Sequence, residues 1–554
     1  MFAFKLKKRT LREAGVRLPC LMVVLGALCA SQVFAATAPL PCNRKSCIYF
    51  GWDSLAATVQ DVYRNRDKFA ATGFDGIAIS VNGKRSDGGI FKGHKVMAVH
   101  RFSEEEFKDA VPLLKEILST KGLDGSYMMI HWMGTKKRRI GWADDAAWGD
   151  FCANMRLMCA LAKGVGFKGL FIDHEDYTGK PLFIWRRADD PPYAETVALA
   201  RRRGGETARA MAAGDPGVRA LFDRVLMQQA GALRSQTPHE TAAYLGDLWY
   251  PFLNGFIEAM PPEMRIVEGC ENAYGAKTAT DYRARIGDCR SSALVMLEPQ
   301  LRAKYIAQSE MSFGKYLDGW MRAGLTAENG IPEALFGAGL CCDRFFWVYG
   351  EKASVVDWGR KTHPRAEPVP WSEKMPGLPA LLRLAGGDYA DLRARAASGS
   401  LENLIANSGC ASKTKGKVPA PFKVYPDAKD SRDMIVHDAA VGCAGPGSLR
   451  VNNGRASLTV KVRGVKPGDR LYASFAVKGD GVAGDFVWVK EDGAWAWKKG
   501  YQYLLKPEPI GGGWNRYECV LVAPEDVAGA GFVISSKATP EKPVWLDDIS
   551  IYRW

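Results

Sequence analysis

Histidine is scarce, with seven in 554 residues, and none falls in an HExxH arrangement, so a protease-type metal site has no support. No two cysteines stand in CxxC spacing, which removes the usual zinc frameworks. After the first 35 residues no apolar run is long enough to be a membrane span. Like charges rarely cluster. Apart from Lys136-Lys-Arg-Arg139 and Arg201-Arg-Arg203 the basic residues are scattered, and a nucleic-acid partner is not expected.

What is present at the start reads as an export signal. Lys5, Lys7, Lys8, Arg9, Arg12 and Arg17 precede an apolar run from Leu18 to about Ala30, and Val33-Phe34-Ala35 is a small-residue cleavage pattern before Ala36. The expectation is a secreted or periplasmic protein without an integral membrane segment. Loss of residues 1–35 removes six bases and one acid, so the formal charge falls from +14 to +9. A basic exported protein points to an acidic polysaccharide or a cell surface, with scattered basic loops the plain alternative. Of 13 cysteines, Cys20 and Cys29 leave with the signal and 11 remain, an odd number. Cys42/Cys47 and Cys270/Cys289 are local disulfide candidates, and the vicinal Cys341-Cys342 reads as partly buried rather than redox-active.

Two textures divide the rest near residue 400. From 36 to 400, Ser46 to Asp53, Phe74 to Val81, Tyr127 to Trp132, Gly169 to Glu175, Arg265 to Glu271, Tyr305 to Met311 and Phe345 to Glu351 read as strands, most of them separated by helical sequence. Seven βα-like units whose strands end in polar or aromatic residues predict an α/β fold, a (β/α)8 TIM-type barrel, with room left for a distorted or incomplete one. The stretch from Pro181 to about Pro262 is expected to be a helical insertion. From 401 to 554, short alternating strands such as Ala456 to Val462, Arg470 to Val477 and Arg516 to Val522 predict a β-sandwich.

The most informative segment is Gly166-Phe-Lys-Gly-Leu-Phe-Ile-Asp-His-Glu175. A short apolar strand ends in carboxylates, at the barrel edge where catalytic residues sit. Asp173 and Glu175 alternate onto the side of Phe171. The segment is similar to the fourth-strand motif of the chitinase-like family, whose last glutamate is the acid and whose preceding aspartate assists it; Lys168 and Phe171 stand where that family has aspartates. In strand order the chain also resembles the β4/β7 clan of retaining glycosidases, with Glu175 ending the fourth strand and Glu351 the seventh; His174 stands where the clan has asparagine. The ends of the last domain, Glu402 to Gly409 and Val544 to Tyr552, resemble the terminal strands of jelly-roll carbohydrate-binding modules. There Trp488, Trp495, Trp497, Tyr501 and Tyr503 are candidate stacking platforms.

These resemblances imply a glycoside hydrolase with Glu175 as acid, Asp173 as its assistant and Glu351 as nucleophile. Glycosidic cleavage needs a protonated acid at the leaving oxygen and a carboxylate that attacks or activates water. The acids Asp173 and Asp176 are expected to hold a proton on Glu175. Trp52, Asp53, His131, Trp132, His174, Tyr177, Glu268, Glu271, Asn272, Tyr274, Trp347 and Tyr349 are sugar-binding residue types at or near strand ends. Glu268 and Glu271 rival Glu351 as second carboxylate. The expected partner is an oligo- or polysaccharide, with the basic run Lys136 to Arg139 pointing to an anionic one, and no metal or other cofactor is called for. A barrel that binds glycans without cleaving them is the main alternative reading, and a polysaccharide lyase a third.

Overall fold

The computed structural model describes residues 44–554 except 98–99, 135–138, 178, 228–229, 413, 415, 428–430, 432 and 498–501. The expected signal peptide, Cys42, Lys136 to Arg138 and Tyr501 therefore lie outside the described residues.

Nine strands build the first sheet: β1 (Ser46–Gly51), β2 (Gly76–Ile79), β3 (Tyr127–His131), β4 (Leu170–Asp173), β5 (Arg219–Phe222), β6 (Arg265–Glu268), β7 (Ser309–Met311), β8 (Gly314–Tyr316) and β9 (Phe345–Gly350). Their order is β8-β9-β1-β2-β3-β4-β5-β6-β7, and every pairing is parallel. The sheet curls. Its two end strands are consecutive in the chain, separated only by Ser312 and Phe313. Ser312 N–H donates to the Glu268 carbonyl at 2.9 Å, and Trp347 N–H donates to the Phe313 carbonyl at 3.1 Å.

Parallel strands connect through helices that cover the outer face, so both faces are buried and the strands read as continuous apolar runs. Gly76–Ile79 and Tyr127–His131 are buried at every position. The covering helices include α1 (Val59–Asn65), α2 (Ala110–Leu118), α3 (Asp145–Val165), α4 (Tyr193–Gly214), α5 (Trp249–Ala259), α6 (Ala279–Arg290), α7 (Pro299–Gln308) and α8 (Ile331–Cys341). Alternation sorts the side chains. Ile48, Ala78, Met129, Phe171, Leu221, Val267 and Trp347 form an inner cluster, whereas Tyr49, Ile77, Met128, Ile130, Ile172, Phe222 and Val348 pack with the helices.

Two corrections to the expected strands follow. Arg219–Phe222 is a strand inside the stretch read as a helical insertion, and Tyr305 lies in α7, ahead of β7. Glu175 does follow the fourth strand, but β5 and β8 both precede β9, so Glu351 does not follow the seventh.

The helical texture ends with Ala390–Ala397, and from Glu402 the chain forms two antiparallel sheets. One centres on Arg470–Lys478, flanked by Trp514–Val522 and Val544–Arg553; the other on Gly529–Ser536, flanked by Ser457–Arg463 and Val482–Val489. Trp488 and Tyr503 are buried between them, which removes both as platforms. Trp495 and Trp497 lie 5.9 Å apart, with Trp497 exposed. Cys270 and Cys289 bring their sulfurs to 4.0 Å without a bridge.

Candidate active site

Alternation decides which strand-end residues face inward. Asp173 continues the phase of Phe171, and Tyr349 that of Trp347. His131 shares the phase of Met129, and its Nε2 lies 3.3 Å from Asp173 Oδ2. Immediately after β5 comes Asp223. Oxygen atoms of Asp173, Glu175 and Asp223 all lie within 4.8 Å of one another. Asp173 Oδ1 also accepts the Glu175 N–H at 2.9 Å, a local turn that fixes the Glu175 backbone.

Arg224 is the cation of this cluster. Its Nη2 binds Glu175, while its Nε lies 3.3 Å from Glu271 and 3.6 Å from Asp223. Tyr177, largely exposed, donates its hydroxyl to Glu175. Four carboxylates around one guanidinium cannot all stay ionised at little cost, and their proton affinities separate. Burial, reinforced by the Asp223 charge, raises the Asp173 carboxyl well above the carboxylate range. Burial and Asp223 likewise push Glu271 up to about 7. At Asp223 burial acts in the same direction but is outweighed by His174 and Arg224, which hold the group low. Burial, then Lys95 and Lys92, lowers His131 to about 4, so it is a neutral imidazole at pH 7. Behind it lies His94, its ring 4.8 Å from that of His131 and its Nδ1 2.5 Å from Ser80 Oγ.

Glu351 sits in a different setting. It accepts hydrogen bonds from Tyr316 at 2.6 Å, Tyr349 at 3.2 Å and the Trp52 indole at 3.5 Å. These donors outweigh its partial burial and lower its pKa. None of its contacts is with Glu175. Tyr274 runs between the two groups: it hydrogen-bonds Glu271, and its ring lies 5.4 Å from Tyr316 and 6.3 Å from Tyr349. Asn272 is half-buried on the same turn as Glu271.

Several expected sugar ligands face the other way. Trp132 is fully buried among Phe151, Phe222 and Phe252, and His174 stacks on Trp249 at 4.3 Å with its Nδ1 2.5 Å from Asp223. His174 thus acts on the site through Asp223. Glu268, on the outer phase of β6, accepts the N–H groups of Val225 and Leu226 at 2.8 Å each and has no exposed surface. Asp53 is equally buried, bound to Tyr49, Val355 and Trp358. Trp347 plugs the interior and donates to the Gly269 carbonyl at 2.8 Å. Arg139 is nearly buried against Asp190 at 2.8 Å and bonds the carbonyls of Leu182 and Ile184; it fastens the segment after β4 and is not free for a ligand.

The residues missed by sequence are Asp223, Arg224 and His94. Only the acid-base pair after Ala-Leu-Phe222 signals the first two. Asp173, Glu175 and Asp223 have the spacing to hold a cation, but Arg224 already supplies positive charge there. In a second such group, Glu268, Cys270 and Cys289, the carboxylate is taken by backbone N–H groups.

No protein-family model matches the chain, and no curated protein matches it. Solved structures with slight likeness include the enzymatically active domain of tailspike protein 4 from bacteriophage CBA120, at 14% identity over 27% of this chain and 21% of that one, TM-score 0.22. Others are a xylan-binding domain from Paenibacillus barcinonensis (14% identity, 28% of this chain and 95% of that one, TM-score 0.20) and a cyclase from Fischerella sp. (11%, 28% and 98%, TM-score 0.23). The chain spans about a fifth of the tailspike domain, and likeness at this level assigns no family.

Proposed function

We propose that the protein is an exported glycoside hydrolase acting on an oligo- or polysaccharide, with residues 36–400 catalytic and 401–554 an accessory jelly-roll, carbohydrate-binding-like domain. The observation that carries this is the gathering of four carboxylates, Asp173, Glu175, Asp223 and Glu271, around Arg224. In this reading Ser309–Tyr316 is one strand interrupted at Ser312 and Phe313, and the sheet is an eight-stranded (β/α)8 barrel with the cluster at its C-terminal edge.

Glu271, titrating near neutrality, gives its proton to the leaving oxygen. Glu175, held by Arg224 and Tyr177, attacks the anomeric carbon or activates water. Two carboxylates on one guanidinium are no further apart than about 8 Å, short of the roughly 9.5 Å upper limit for such hydrolysis. Glu175 thus exchanges the role of acid for that of its partner. Glu351, Trp52, Tyr349 and Tyr274 then orient the sugar. Asp173, hydrogen-bonded to the Glu175 backbone, positions it.

A second reading, a glycan-binding protein without turnover, is favoured by the fact that Arg224 engages three of the four carboxylates. A panel of neutral, sulfated and uronate-rich glycans decides between them. Glu175→Gln and Glu271→Gln are each expected to lower kcat by about 10²-fold or more while ligand binding persists. Since Glu271 must be protonated to act, wild-type activity should fall as pH rises through about 7. Binding without product release across the panel supports the second reading, and an ultraviolet-absorbing unsaturated product would make the protein a lyase.

A further inference from the structure

At the opposite, N-terminal edge of the first sheet lies a cavity of about 630 Å³ whose wall includes the starts of β1, β5 and β9 at Ser46, Arg219 and Phe345. Seven lysine or arginine side chains line it against three aspartates. We propose that this cavity is a second binding site, for a small polyanion carrying at least two phosphate, sulfate or carboxylate groups.

The internal pairing leaves charge over. In the cavity wall the partly exposed Arg219 and Arg344 share one buried carboxylate, Glu310, at 2.7 and 3.0 Å, so two guanidiniums meet a single acid. Arg44 faces Asp75 at 3.6 Å, and that carboxylate also accepts the Cys47 N–H. Lys45 is spent on the Asp343 carbonyl at 2.8 Å. The remaining three, Lys121, Lys168 and Arg383, have no side-chain hydrogen bond or ion pair among the described residues, and all three are exposed. Cations gathered in a concave, low-dielectric wall focus field lines and concentrate a counter-ion beyond what the same charges achieve on a flat surface. The volume is within the range of small-molecule sites, roughly 300–1,000 Å³. Counting Asp75, Asp124, Asp388 and Glu310 against the seven bases leaves a surplus of three positive charges, more than one singly charged group neutralises, so the ligand carries at least two anionic groups. The carboxylate cluster lies at the other edge of the sheet, so this ligand does not occupy the candidate active site.

The test is calorimetric titration of the full chain with tripolyphosphate, a disulfated disaccharide and a trigalacturonate, each at about 0.05 M and about 0.5 M salt. At least one is expected to bind, more weakly by tenfold or more at the higher salt, and the one that binds identifies the anionic group. Lys121→Ala/Lys168→Ala/Arg383→Ala should weaken it at least tenfold. Should that triple variant misfold, Lys168→Glu alone, at an exposed position, must show a clear loss. The proposal is overturned if none of the three ligands binds, if binding ignores salt, or if the substitutions leave affinity unchanged. None of these outcomes depends on hydrolytic activity.

Discussion

Side-chain direction at the strand ends separates the residues that meet in the cluster from those that do not. The run Leu-Phe-Ile before Asp173 shows a buried strand ending in acids, and the acids are where that pattern puts them. The inner phase is not written in it: a strand covered on both faces is apolar at every position, so neither face is marked as the interior. His131 and Trp132 are equally apt sugar ligands on paper, yet one faces Asp173 and the other the helix layer. Glu268 is the sharpest case. Burial raises it to about 7 despite the N–H groups of Val225, Leu226 and Cys270. Its folded pKa lies above its unfolded one, so its contribution to stability is full below about 4.5 and is lost as pH rises towards 7. The shift corresponds to about 3 kcal/mol. Thermal unfolding between pH 5 and 7.5 should show Tm declining, and Glu268→Gln should flatten part of that decline while lowering Tm throughout, because an amide cannot accept both N–H groups. An unchanged pH slope in the variant would remove Glu268 as the cause.

Among the elements, sequence reading passes over β5 and β8, and with β5 go Asp223 and Arg224. Five residues between Asp215-Pro-Gly217 and Asp223 carry too little periodicity to announce a strand, and helical sequence on both sides absorbs them. The loop after β6 is held by another element altogether. From β8, the fully buried Lys315 donates to the carbonyls of Ala273 at 2.7 Å and Ala276 at 2.9 Å, with its ammonium over the Tyr282 ring at 4.5 Å. It pins the turn that carries Glu271, Asn272 and Tyr274. Lys315→Met keeps the stem but removes two charge-assisted hydrogen bonds, leaving the Ala273 carbonyl to the Ala276 N–H and the Ala276 carbonyl to the Tyr282 hydroxyl, at a cost of about 1–3 kcal/mol. With Glu271 released, kcat should fall more than KM rises. A variant as stable and as active as the parent would show that the turn holds itself.

Across the whole molecule, the change of texture near residue 400 could be read in advance, but how tightly the sandwich is joined to what precedes it could not. Arg393, on Ala390–Ala397, binds the buried Glu518 at 2.6 Å, and Tyr472 donates to the same carboxylate at 2.6 Å. Tyr472 and Val520 belong to the same hydrophobic core as the first sheet and its helices. Contacts of that kind come from residues far apart in sequence, and no local pattern reports them. A single cut between about 395 and 405 is therefore expected to leave two folded pieces that still elute together, and Arg393→Ala to separate them, since it leaves Glu518 with an unpaired buried charge. Joint aggregation after cleavage, or immediate separation without the substitution, would contradict this.

The break at Ser312 and Phe313 has one more effect. Outer strands normally present a row of unpaired amides on which a neighbouring chain can lay its own strand, the first step towards aggregates. Here the outermost strands of the sheet are two halves of one segment, and the amide and carbonyl of Met311 are already taken by Asp343, through its carboxylate at 2.7 Å and its N–H at 2.9 Å. The sheet thus offers no open template at that position, so a concentrated solution of the folded chain is protected there against strand-to-strand association.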